Sequence, residues 1–159
     1  MIIFLSGSIN SGKSTVAKLL VAKLPRIALI EVDVLRDMIE WMPIDKAVPI
    51  NLENSVSLIR NFMENNLNVL VSYPLSEKNH QYVLSSLKGV DTKIFFFTLA
   101  PRLERALTDR GNRKLDDWER NRIKHHYDIG ISRPSFGEII DNSEQTPEET
   151  MKYILTKIS

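Results

Sequence analysis

Two kinds of apolar pattern alternate along this chain. Short β-favouring runs such as Ile2-Ile3-Phe4-Leu5 give way to segments whose apolar residues recur every third or fourth position, as Val16, Leu19, Leu20 and Leu24 do. The pattern predicts strands over 1–6, 27–32, 69–73, 93–99 and 138–141. It predicts helices over 13–24, 34–41, 52–65, 77–87, 101–109, 116–129 and 147–158. Strand and helix in alternation argue for the α/β class, with a parallel sheet covered by helices on both faces. Several stops have physical causes. Pro25 ends the first helix, Pro43 the short second one, and Gly89 closes the fourth. Thr146-Pro147-Glu148-Glu149 reads as an N-cap, a proline at the first helical position, and acids where the helix dipole favours them.

Composition narrows the picture. At 159 residues and 43% apolar, with no linker-like stretch, the chain is expected to form one domain over 1–159. A net charge of +1 offers no broad field for non-specific nucleic-acid binding, so basic clusters must be read one by one. The absence of cysteine excludes disulfides, thiolate metal sites and cysteine nucleophiles, and fits a reducing cytoplasm. The longest apolar run, 94–100, is far short of the roughly 20 residues a membrane helix needs. With the first strand at Met1, no signal or transit peptide is expected.

Between the first strand and the first helix lies Gly7-Ser8-Ile9-Asn10-Ser11-Gly12-Lys13-Ser14-Thr15, which satisfies G-x-x-x-x-G-K-[ST] in the strand–loop–helix context the pattern requires. Gly7 and Gly12 permit the tight turn that brings successive N–H groups to face one anion, and the new helix's free amides and dipole favour the same charge. These nine residues are therefore candidates to bind ATP or GTP. Lys13 would reach the β- and γ-phosphates, and the Ser14 hydroxyl would sit on Mg²⁺. No N/T-K-x-D base signature of GTPases is present, which favours ATP.

Ligands of such sheets lie beyond the carboxyl ends of the strands, and Glu31-Val32-Asp33 falls at the end of the second. Phosphoryl transfer to an alcohol needs one carboxylate near the acceptor hydroxyl and another near the metal, and alternating strand residues supply both from one edge. Asp33 is assigned as general base and acceptor anchor, Glu31 as a metal contact through water. Arg36, one turn into the next helix, would return to the cleft and hold the acceptor. The alternative is a solvated helix start in which Asp33 is only a cap and Arg36 pairs with Asp37 or Glu40.

Arg110-Gly111-Asn112-Arg113 interrupts a basic segment and reads as a lid, over about 110–118, that closes on nucleotide and brings Arg113 to the transferring phosphoryl group. The bland alternative is a solvated basic turn. Arg102 and Arg105 read as helix-surface charges with Glu104 and Asp109 as partners. His125-His126 is not a metal pair, because adjacent helical residues point about 100° apart; surface or lid-hinge positions are expected. Trp41, Trp118 and Tyr127 read as packing residues, with Trp41 close enough to line a substrate pocket.

Together the N-terminal loop, the D-x-x-R of Asp33 and Arg36, the R-G-N-R lid, and Asp141-Asn142-Ser143 with Thr146-Pro147-Glu148-Glu149 resemble the small P-loop kinases: shikimate, gluconate and adenylylsulfate kinases and chloramphenicol phosphotransferase. The resemblance implies a three-layer fold with sheet order 2-3-1-4-5. It also implies ATP and Mg²⁺ as cofactors, Arg110 packed on the adenine, Arg113 at the phosphates, and the 142–147 loop at the edge of the base. Glu31-Val32-Asp33 is similar to the D-x-D of shikimate kinases, and Val32-Asp33-Val34-Leu35 to the matching segment of chloramphenicol phosphotransferases. Val71-Ser72-Tyr73-Pro74 departs from the G-G-G of shikimate kinases and carries no Walker B aspartate. The leading expectation is an ATP-dependent kinase acting on a hydroxyl of a small molecule, a metabolite or an antibiotic. The alternatives are a polynucleotide 5′-hydroxyl or nucleotide-sugar kinase, like the zeta-type toxins that share D-x-x-R, and a regulatory nucleotide switch with no acceptor.

Overall fold

The computed structural model describes residues 1–109 and 113–158. Its centre is β1 (Ile2–Gly7), buried along its whole length and hydrogen-bonded in parallel to β3 (Asn68–Ser72) on one side and β4 (Ile94–Leu99) on the other. β2 (Ile27–Glu31) pairs with β3, and β5 (Glu138–Ile140) with β4, completing a five-stranded parallel sheet in the order β2-β3-β1-β4-β5.

The period of two in the strands sorts side chains onto two cores. Ile2, Phe4, Val69 and Val71 face α3 (Ile44–Glu64) and α4 (Glu77–Ser86), meeting Leu52, Val56, Ile59 and Val83. Ile3, Leu5, Leu70 and Phe97 face α1 (Lys13–Lys23) and α7 (Pro147–Ile158), meeting Val16, Leu20, Met151 and Ile154. A sheet buried on both faces explains why the inner strands read as continuous apolar runs rather than as alternation. A third, smaller cluster of Ala106, Leu115 and Ile123, with Ile9 against it, fastens α5 (Leu103–Ala106) and α6 (Asp117–Asp128) beside the loop after β1. Among the described residues, no helix is long and apolar enough to cross a membrane.

Three elements depart from the sequence reading. The helix predicted over 52–65 begins at Ile44, with Pro43 as N-cap and Pro49 inside it. That proline removes one donor, the one that would reach the Asp45 carbonyl, while buried Ala47, Asn51 and Leu52 hold the segment against the core. The second helix, α2 (Val32–Asp37), starts immediately after β2, so Asp33 lies in a first helical turn and not on a strand. The helix predicted over 101–109 is the single turn of α5.

Candidate active site

The carboxyl edge of a parallel sheet gathers the segments that follow each strand, and here the segment after β1 is the most constrained. Gly7 has φ 138°, and a Cβ on it would lie 2.4 Å from the Leu99 carbonyl oxygen, so no side chain fits there. Gly12 (φ 99°) and Asn10 (φ 59°) also take left-handed conformations. Four elements hold the resulting turn. Asn10 donates through Nδ2 to the carbonyls of Ala106 and Thr108, at 2.8 and 3.0 Å. Asn142, beyond β5, donates to the Ser11 carbonyl at 3.0 Å. His126 of α6 places Nδ1 3.2 Å from Ser8 Oγ. Lys13 folds back so that Nζ donates to the Ser8 carbonyl at 2.7 Å. The first-turn amides of α1 have no intrahelical acceptor, and among the described residues no loop carbonyl takes those of Lys13, Ser14 or Thr15. This is a cradle of unspent donors suited to a polyphosphate anion.

Two cavities open on either side of the cradle. One, of about 420 Å³, is lined by Ile9, Asn10, Lys13, Ser14, Glu31 and Asp33, together with Tyr73, Arg113, Arg122 and His126. The other, of about 570 Å³, is lined by Gly12, Thr15, Arg105 and the 142–147 segment. Glu31 and Asp33 thus reach the same space, although one ends a strand and the other begins a helix.

The first cavity is electrostatically tense. Burial lowers the Lys13 ammonium to about 8, with the nearby Arg113 adding to the effect and Asp33 opposing it. Burial raises the Asp33 carboxyl above its ordinary value; Lys13 pulls it back, and Asp37 and Glu31 push it further up. Tyr73 is pushed up to about 12 by burial and by the Asp33 charge. Burial, then Arg122, Lys13 and His125, bring His126 down to about 4, so it is neutral around pH 7. Arg113 pairs with Glu119 at 2.6 Å, the same glutamate that completes the capping box of α6 with Asp116.

Several predicted residues are placed differently. Arg36 does not line the cavity: its guanidinium donates to the carbonyls of Ile39, Glu40 and Met42 at 2.6, 3.0 and 2.7 Å, closing the turn after α2. Its reach is spent on backbone acceptors left over at a helix end, which removes it from the acceptor-binding set. Nor does it pair with the Asp37 or Glu40 side chains. His126 is not at the surface; it is 3% exposed beneath the loop. Trp41 is 80% exposed and lines none of these cavities. Arg102 pairs with Glu144, and Asp109 with Arg120. Arg110, expected on the adenine, lies with Gly111 and Asn112 outside the described residues, so the proposed lid is described only from Arg113 onward, and its last two positions belong to α6.

The sequence reading missed Arg122, His126 and Arg105. A signal was present: Trp118, Arg122 and His126 stand at i, i+4 and i+8, one stripe of α6, and all three line the first cavity.

Neither a family model nor any curated protein matches the sequence. Solved structures match its fold. The Deinococcus radiodurans tunicamycin resistance protein is 17% identical at a TM-score of 0.72, covering 99% of this chain and 95% of that one. A sugar kinase from a Janibacter species is 14% identical at 0.75, covering 99% and 93%. Shikimate kinase from Aquifex aeolicus is 21% identical at 0.60, covering 99% and 96%. The fold is that of the small P-loop kinases. Within that fold, the loop after β1 and the carboxylates at the end of β2 and the start of α2 occupy the edge at which α/β sheets bind ligands.

Proposed function

We propose that the protein is a phosphotransferase that moves the γ-phosphoryl group of ATP to a hydroxyl of a small molecule. The observation that carries the reading is the shared cavity: the cradle's Lys13 and Ser14 and the carboxylate of Asp33 open on one space with two arginines in its wall. The tunicamycin resistance protein and the sugar, shikimate and adenylylsulfate kinases with this fold fit the same reading.

On this reading the base and ribose lie in the cavity between Thr15 and the 142–147 segment, with Arg105 beside them, and the phosphates cross the cradle towards Lys13. Asp33, whose proton affinity burial has raised, takes the proton of the acceptor hydroxyl as its oxygen bonds to phosphorus and the bond to the ADP oxygen breaks. Lys13 and Arg113 balance charge on the transferring group, and Arg122 does so from the acceptor side. The amides at the start of α1 fit a nucleotide's phosphates. Among the described residues, no group of three or more His, Cys, Asp or Glu could hold a metal by itself. The Ser14 hydroxyl and the Glu31 carboxylate, which line the same cavity, would be the protein's partners for Mg²⁺. The ion would supply charge neutralisation at the β- and γ-oxygens.

The test is ADP release with Mg·ATP across a panel of alcohols, read alongside calorimetric titration of the nucleotide. Acceptor-dependent ADP release that is lost in Lys13→Ala is the expected result. Failure to take up any adenine or guanine triphosphate would overturn the reading, whereas uptake without any acceptor would favour a nucleotide-dependent switch.

A further inference from the structure

The first cavity has a neighbour across part of its wall. Ile44 and Val48 of α3 and Arg122 of α6 also wall a second space, of about 490 Å³, that runs between α3 and α4. It is also lined by Pro49 and Leu52 with Asp45 and Glu53 on α3, and by Tyr82 with Lys78 and Asn79 on α4. Folding leaves apolar side chains in water here: Ile44 is 48% exposed and Tyr82 39%. Val34 and Trp118, also exposed, stand on the rim of the reaction cavity. A site built for a small polyol would have no use for a largely apolar space that shares its wall. Clefts that bind an organic body are mostly apolar, with few polar groups set where the reacting end lies.

We propose that the acceptor is an amphipathic alcohol, with its hydroxylated end at Asp33 and an aliphatic or aromatic body in the groove between α3 and α4. The inference rests on the phosphotransfer reading for the fate of the hydroxyl; occupancy of the groove does not depend on it. Geometry sets the division of labour. Asp33 and Lys13 confront the reacting oxygen, Ile44 and Val48 form the neck, and Pro49, Leu52 and Tyr82 select the body by size and shape. The start of α3 is therefore the specificity-determining element. Its apolar side chains project beyond the core because a ligand, and not the protein, covers them.

The experiment compares methyl β-D-glucoside with octyl β-D-glucoside, which share one hydroxylated head, by calorimetry on the full chain below the micellar concentration. At least tenfold tighter binding of the octyl compound is expected. Tyr82→Glu should cut that preference below about threefold. Leu84→Glu, an exposed position of the same helix outside the groove, should leave it intact. Circular dichroism melting of both variants establishes that they are folded. Equal binding of the two glucosides, no binding of either, or a preference that survives in Tyr82→Glu overturns the proposal. Titration of Mg·ATP into the same protein separates the two claims. Nucleotide uptake without octyl preference sinks only the groove. Octyl preference without nucleotide uptake sinks the phosphotransfer reading and leaves the groove standing.

Discussion

His126 Nδ1 lies 3.2 Å from Ser8 Oγ, joining a helix late in the chain to the phosphate-type loop near its start. The contact is buried and leads on: the Ser8 carbonyl accepts from Lys13 Nζ, so the imidazole steadies the residue that orients the cradle's lysine.

That imidazole makes stability pH-dependent. Its folded value of about 4 lies below the ordinary 6.5, so the unfolded chain binds the extra proton between these values and stability falls as pH drops from 6.5 towards 4. The full effect is on the order of 3 kcal/mol. Denaturant melts across this range should show the fall, and His126→Gln should flatten it. An unchanged acid limb in the variant would show that another group is responsible.

Lys13 carries a linkage of the same sign in a higher pH window. Its ammonium is held at about 8 in place of 10.5, so the empty protein should gain stability as pH rises through that interval, since the unfolded chain holds the proton longer. A bound polyphosphate restores the proton. Nucleotide binding near pH 8–9 should therefore take up protons, visible as buffer-dependent calorimetric enthalpy. Lys13→Met should raise the apo melting temperature while abolishing nucleotide binding, and a lower melting temperature would contradict the desolvation argument.

Asp33→Asn keeps the volume and removes the base. Acceptor-dependent transfer should fall by about 10²–10⁴ with nucleotide affinity retained, measured by ADP release and calorimetry on the same preparation. Because burial raises the carboxyl, the acid limb of the parent's rate profile should lie above that of an ordinary aspartate and should vanish in the variant's residual rate.

Arg36→Ala tests the reassignment of that residue. Loss of three donors to the turn carbonyls should lower stability by roughly 1–2 kcal/mol without raising the KM for the acceptor. A large KM effect in the folded variant would return Arg36 to the binding set.

The phosphate-type loop was legible because its chemistry is local: glycine where φ is positive, lysine one residue later, and a strand and a helix on either side. The carboxylates after β2 were legible for a related reason, since a strand end in a parallel sheet has only one edge to face. Arg36 was misplaced because one turn of helix puts it near the cleft, but whether it turns inward depends on which carbonyls the following turn leaves open. The third helix was read only from residue 52, whereas the buried Ala47, Asn51 and Leu52 hold it from Ile44 and outweigh the one hydrogen bond lost at Pro49.

By itself the sequence determined the elements, their α/β alternation and the glycine-rich turn between β1 and α1, all of which follow from short-range spacing and backbone freedom. Only the tertiary structure decided that His126 and Arg122 line the cavity beside the cradle, and that the start of α3 walls both this cavity and the space between α3 and α4. Those contacts join residues far apart in the chain, and packing, not spacing, determines which side of α6 and α3 turns inward.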